Sequence, residues 1–591
     1  MFEKNWQSLA MKDFWKEIFS SGTPDFYVHP GGEYVIFNTD HQYHIFSGKD
    51  GEAMLSGEYM PKSGKKMSLG ASLLAGSNPL ASNMAESISL SEGSGFYLFE
   101  DENVALFLDW TFDTNRIMAY DLNTFEKLWE TEDYRFSLKK NAQVLQSLMG
   151  AATARSARFP MYSITPAALT GQLLMSEMYT QMQYYGYGTS SAMAYITHLQ
   201  NKGTFLLKAN EELICLDIRT GEEKWRKTED ITIGYDYTLP NEDAVVLINF
   251  NASFLKNNDK KIIKLNTNTG ETLWEAEHVG MFHYERNYVS NNRLILDYNG
   301  IEMYNLETGE KMLMSRDEKK VKQSNTLSAG LLNAGDGTGT DAPDWWESLV
   351  TDEHVYTMVT EDLSDAGIVV GGMDIFVHKY DLETGELVWK SDALHESARI
   401  INVTNGNVVT SRSKAFGNRF YAILSDKDGT IIRETDVIKD YFGDRPKAGI
   451  AFTDQSAYFG GKKGIYVFNL NTWENTKTFD VKDAKIGKLQ GMSPTRQGLM
   501  TIGDKGVGFY NQTGDFEESQ RIKRVSGAFW DGTYCYVFNP KGTSAVSMTG
   551  YNEVDDLPFT PDNGDELYFS SNGQHVIVIS GKSIMTKYSI N

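Results

Sequence analysis

Short apolar runs with period-two alternation recur along the whole chain, separated by Gly, Asn and Asp turn signals. One stretch shows the unit plainly. "KAGIAF" (447–452), "SAYFGG" (456–461), "GIYVFNL" (464–470) and "ENTKTF" (474–479) read as four successive strands with tight connections. The third and fourth strands of such units are joined by a recurring phrase, seen best in "YDLETGELVW" (380–389). It reads as a β-hairpin whose loop carries Asp381 and Gly385. The Asp can accept backbone N–H groups ahead of it, and the Gly can take φ > 0. Strong copies are "YDLNTFEKLW" (120–129), "LDIRTGEEKW" (216–225), "LNTNTGETLW" (265–274) and "YNLETGEKML" (304–313). Weaker ones are "FSGKDGEAML" (46–55), "LSDKDGTIIR" (424–433), "FNLNTWENTK" (468–477), "YNQTGDFEES" (510–519) and "SAVSMTGYNE" (544–553).

The turn residues Gly221, Gly270, Gly309, Gly385, Gly429, Trp473, Gly514 and Gly550 carry this beat at a spacing of roughly forty residues where it is unbroken. Four short strands per such period predict an all-β fold, a β-propeller of four-stranded blades. About eleven repeat units can be traced, as one large ring or two threaded rings. The last unit, ending in "SIMTKYSIN" (583–591), lacks a fourth strand, and "FEKNW" (2–6) resembles "GEEKW" (221–225). An N-terminal strand added to the C-terminal blade would hide both edges. The beat resembles the repeat of the pyrroloquinoline-quinone-like (PQQ-like) propeller family. In that family the repeat's Trp packs between neighbouring blades, so the resemblance implies structural roles for Trp129, Trp225, Trp274 and Trp389.

The beat is interrupted three times, at residues 60–93, 137–200 and 316–346. The remaining segments divide as 1–59 (closing strand and first unit), 94–136, 201–315 and 347–591, all propeller units. Each interruption follows a fourth strand, so each joins one blade to the next, and in a propeller such connections emerge on one face. The inserts share small residues mixed with Leu and Met beside Lys or Arg. The middle one is expected to be helical and Met-rich: Leu145, Leu148 and Met149 fall at helical spacing, as do Leu173, Met175, Met178 and Met182 less regularly. Met side chains suit an adaptable apolar surface. Three readings stand: the inserts pack on their own propeller or stay disordered, they dock a protein or a second copy, or they meet a membrane surface.

Composition narrows the rest. The chain has 591 residues, 41% hydrophobic and 12% aromatic, enough for a large packed core. A formal charge of −23 repels phosphate backbones, which argues against nucleic acid and against anionic lipid. Its two cysteines, Cys215 and Cys535, have no metal or redox spacing. "MFEKNWQSLAMKDFWKEIFSSG" holds no apolar leader core, and no 18-residue apolar span exists, so the cytoplasm is expected. "HQYH" (His41, His44) is a poor metal pair, and "SDKDG" (425–429) lacks the acidic positions of a calcium loop. "GDGTGTD" (335–341) lacks the Lys of a phosphate loop. A quinoprotein dehydrogenase would, by the same resemblance, show a calcium site, an aspartate base and adjacent cysteines, and no such set can be placed. The expectation is a non-catalytic scaffold without catalytic, cofactor or metal residues, holding a protein partner or another copy through its inserts. The alternative is a ligand-binding or quinone-dependent propeller using the central channel.

Overall fold

The computed structural model describes residues 2–8, 25–61, 67–68, 89–90, 93–134, 196–249, 261–315, 348–360, 374–453, 455–557 and 566–590, apart from short gaps within these ranges. The fold is a β-propeller in which nearly every described segment is a strand of a four-stranded antiparallel sheet. The strands are taken in chain order, first to fourth. Sheets 1 to 10 span residues 25–58, 93–131, 196–228, 233–277, 286–314, 349–390, 399–435, 446–480, 489–521 and 527–557. Sheet 6 carries a short fifth strand, Leu394–His395, paired with Asp374–Asp381. Sheet 11 takes Glu566–Phe569, His575–Ser580 and Ile584–Ile590, and its fourth strand is the N-terminal Phe2–Ser8. That strand runs antiparallel to Ile584–Ile590, from Phe2 opposite Ile590 to Ser8 opposite Met585, with a bulge between Lys4 and Trp6.

The burial pattern explains why these runs are strands. Inner strands such as Val104–Trp110, "VALFLDW", are buried at every position because both faces of the sheet are covered by neighbouring sheets. Fourth strands such as Glu223–Thr228 and Thr272–Glu277 alternate exposed and half-buried positions at the outer rim. Buried clusters join consecutive sheets. Tyr43 stacks on Phe107 across sheets 1 and 2 at 4.1 Å, Tyr421 meets Phe459 edge-on across 7 and 8 at 5.1 Å, and Phe26 meets Tyr568 across 1 and 11 at 4.3 Å. Among the described residues the clusters run 11–1–2 through to 10 in order, and none joins non-consecutive sheets.

Two boundaries differ from the sequence reading. Ile196–Leu199 is the first strand of sheet 3, although it falls within the stretch 137–200 assigned to the middle insert. The strand is four residues long and carries no phrase to announce it. In sheet 10 the residue with positive φ is Tyr551 (φ 53°), not Gly550, and its N–H closes the turn on Ser547 O. Residues Leu145, Leu148, Met149, Leu173, Met175, Met178 and Met182, and most of the other two inserts, lie outside the described residues.

Candidate functional site

The recurring turn builds a latch between sheets. Asp217, Asn266, Asn305 and Asp381 each accept backbone N–H groups two and three residues ahead, as in Asp381 Oδ1 to Glu383 N (3.0 Å) and Thr384 N (2.7 Å). These bonds hold the Asp381 carboxyl below the usual carboxylate range. The following Gly then takes positive φ against the previous sheet. A Cβ on Gly221 would lie 2.7 Å from the Trp129 ring, on Gly270 2.6 Å from Trp225, on Gly309 2.7 Å from Trp274, and on Gly429 2.5 Å from Trp389. Each indole N–H donates to the carbonyl three residues before that Gly: Ile218, Thr267, Leu306 and Asp426, at 2.7–2.9 Å. Gly385 faces Met303 and Met312 instead, because Leu313 stands where the preceding sheet would carry its Trp.

Where the turn residue is aromatic, the preceding fourth strand has no Trp. Phe125 (φ 59°) follows Leu55, and Trp473 (φ 54°) follows Arg433, whose Nη1 donates to Trp473 O at 3.2 Å. Tyr551 stacks on Phe509 of sheet 9 at 4.6 Å, and Gln520 Nε2 donates to its carbonyl. At the first two interfaces the turn residue supplies the ring, and at the third Tyr551 stacks on a ring of the preceding sheet.

Strand order also sorts the faces. In an up-and-down antiparallel sheet the first-to-second and third-to-fourth connections share one face, and the other connections share the opposite one. The latch turns therefore lie on a turn face. The breaks between Glu58 and Gly93, Thr131 and Ile196, and Met314 and Leu349 are all fourth-to-first, so they leave from the opposite, connector face. The second-to-third breaks between Asn249 and Lys261 in sheet 4, and Thr360 and Asp374 in sheet 6, leave from there too.

A cavity of about 440 Å³ opens among the first strands of sheets 2 to 6. Several lining residues close those strands or follow them directly: Gln200, Thr238, Ser290 and Asp352. The cavity thus lies toward the turn face. Its wall is stitched across sheets. His198 Nε2 lies 3.4 Å from the Glu102 carboxylate, Thr238 Oγ1 donates to His198 O (2.8 Å), and Tyr288 OH donates to Ser348 O (3.1 Å). Asp236 lines it beside Tyr237, and burial pushes its carboxyl up to about 7, with a hydrogen bond to the Thr197 side chain opposing the rise. No sequence signal marks these residues, since the first strands carry no phrase and the cavity draws on five of them. Among the described residues no group of three or more His, Cys, Asp or Glu could hold a metal ion. "SDKDG" is a turn, with Asp428 Oδ1 accepting Thr430 N at 3.1 Å.

Residues 113–340 match the family model described as outer membrane protein assembly factor BamB, a PQQ-like repeat family. No curated protein matches the sequence. Among solved structures, BamB from Moraxella catarrhalis aligns at 12% identity over 67% of this chain and 96% of its own, with a TM-score of 0.28. Dihydro-heme d1 dehydrogenase NirN in complex with DHE aligns at 11% identity over 62% of this chain and 75% of its own (TM-score 0.28). A structure described as the eukaryotic initiation factor aligns at 8% identity over 62% and 88% (TM-score 0.34). Alignments this distant carry no argument about role.

Proposed function

We propose that this chain, a β-propeller carrying PQQ-like repeats, is a non-catalytic scaffold that docks a protein partner, or a second copy of itself, on its connector face. What supports the reading is the strand topology. The three inserts of shared small, Leu- and Met-rich composition all fall at fourth-to-first connections, so the strands that flank them end and begin at the connector face. The candidate contacts are Leu145, Leu148, Met149, Leu173, Met175, Met178 and Met182. The four Trp side chains serve as latches between sheets rather than as contacts for a partner. The segment division at 1–59, 60–93, 94–136, 137–200, 201–315, 316–346 and 347–591 belongs to the same reading, with sheet 3 beginning at Ile196. We propose a cytoplasmic location, because Cys215 and Cys535 are both buried thiols, which suits a reducing compartment.

The test is affinity capture from native lysate with the full chain and with a variant in which 61–92, 136–195 and 316–347 are replaced by Gly-Ser links, after the variant is shown to fold. Sedimentation of both forms reads self-association. Specific proteins or untagged copies recovered only by the full chain support the scaffold. Recovery of the same partners by both forms, or of none by either, overturns it.

A further inference from the structure

We propose that the turn-face cavity binds a small organic cation, an amine or a quaternary ammonium. The cavity lies toward the turn face, away from the strand ends that flank the inserts, so this inference stands apart from the scaffold reading. Its size lies within the roughly 300–1,000 Å³ of ordinary small-molecule sites. The lining combines the carboxylates of Asp236 and Asp352 with the side chains of Tyr97, Tyr237 and Tyr288, and no Lys or Arg among the described residues lines it. Carboxylates and aromatic faces together are what a charged nitrogen needs: a charge-assisted hydrogen bond and cation–π contact in a partly dried site.

The competing ligand classes fit less well. An anion would meet two acidic side chains with no fixed cation opposite them, inside a chain of net charge −23. For a bare metal ion, the described residues bring no group of three His, Cys, Asp or Glu together here. The site is also poised for a positive guest. Burial disfavours the charged form of Asp236, and an arriving cation supplies the missing counter-charge. The groups around that carboxyl are His198 and Thr197 from sheet 3, Tyr237 beside it, Tyr97 and Tyr288 from sheets 2 and 5, and Asp352 across the cavity, with Glu102 behind His198. Binding should therefore draw off a proton and strengthen as pH rises through about 7.

Isothermal titration of the full chain with choline and agmatine tests this, with 3,3-dimethylbutan-1-ol (the uncharged isostere of choline) and glucose as neutral probes. The expected result is binding of at least one cation, at least about tenfold tighter than either neutral probe. That affinity should rise about tenfold from pH 6 to pH 8, following the ionised fraction of a group titrating near 7. Asp236→Asn should abolish the pH dependence and weaken binding about tenfold or more at pH 8. If Asp236→Asn does not fold, Ser290→Lys decides, because an ammonium placed in the lining should block either cation. The proposal is overturned if neither cation binds by about 10 mM, if glucose or the neutral isostere binds as tightly, or if the substituted chain binds unchanged.

Discussion

The latch between sheets 6 and 7 can be taken apart by substitution. Gly429 sits at φ 73°, and a Cβ there would lie 2.5 Å from Trp389 Cε3. Gly429→Ala therefore carries two penalties. The left-handed backbone costs about 1–2 kcal/mol for a residue with a Cβ. Pushing the indole aside costs about 1–3 kcal/mol as overpacking. Gly406, in the same sheet, separates the two. It has φ 72°, but a Cβ there meets nothing within 4 Å. Gly406→Ala should show the backbone penalty alone, and the difference between the two variants measures the contact. Truncating Trp389 to Leu removes most of the ring and the bond from its N–H to Asp426 O (2.7 Å), a loss below the roughly 3–5 kcal/mol of full truncation.

The decisive form is the double variant Trp389→Leu with Gly429→Phe, which copies the natural Leu55 and Phe125 pair. If a ring from the turn side can replace the Trp of this latch, the double variant should be more stable than the sum of the singles predicts, by about 1–2 kcal/mol of favourable coupling. A long series of sheets need not unfold in one step, so the readout is hydrogen exchange at the strands of sheets 6 and 7, beside the melting temperature. Equal costs for Gly406→Ala and Gly429→Ala, or strict additivity in the double variant, would refute the latch.

Ring closure depends on the N-terminal strand, so deleting residues 1–8 should lower the melting temperature sharply; an unchanged melting temperature would sink strand donation. Lys587, in the closing sheet, donates from Nζ to Gly32 O (2.6 Å) and Gly48 O (2.7 Å) of sheet 1. Lys587→Met should destabilise by about 1–3 kcal/mol, because it removes two buried charge-assisted hydrogen bonds, read by denaturant unfolding with deuterium uptake at sheets 11 and 1. Asp236→Asn should have the opposite sign. Its folded-state pKa of about 7 lies above the unfolded value, so the native state loses stability as pH rises between about 4 and 7. The substitution should therefore raise stability at pH 8, by at most about 4 kcal/mol, and leave it unchanged near pH 4; equal melting curves at both pH values would exclude a perturbed carboxyl there.

The strong copies of the turn phrase were readable because each obeys a local rule. In the copies at 216–225, 265–274 and 304–313 an Asp or Asn caps the turn, and a Gly takes positive φ while a Trp ring presses on it from the previous sheet. Phe125, Trp473 and Tyr551 look like decay of the phrase when each copy is read alone. They make sense only as pairs with a residue one sheet earlier: Leu55, Arg433, and the Phe509 and Gln520 of sheet 9. Where a Trp presses on the turn, the neighbour adds to the turn's own requirement for Gly. A tolerated left-handed aromatic costs about 1–2 kcal/mol and supplies the ring that the preceding strand lacks. The cavity shows the same limit more strongly. Asp236, His198 and Asp352 belong to three different first strands or their ends, and what brings them together is the rotation from one sheet to the next. Periodicity along the chain reports which face of a strand is covered. It says nothing about which strand ends converge on an axis, and there a propeller can change its ligand without changing its repeat.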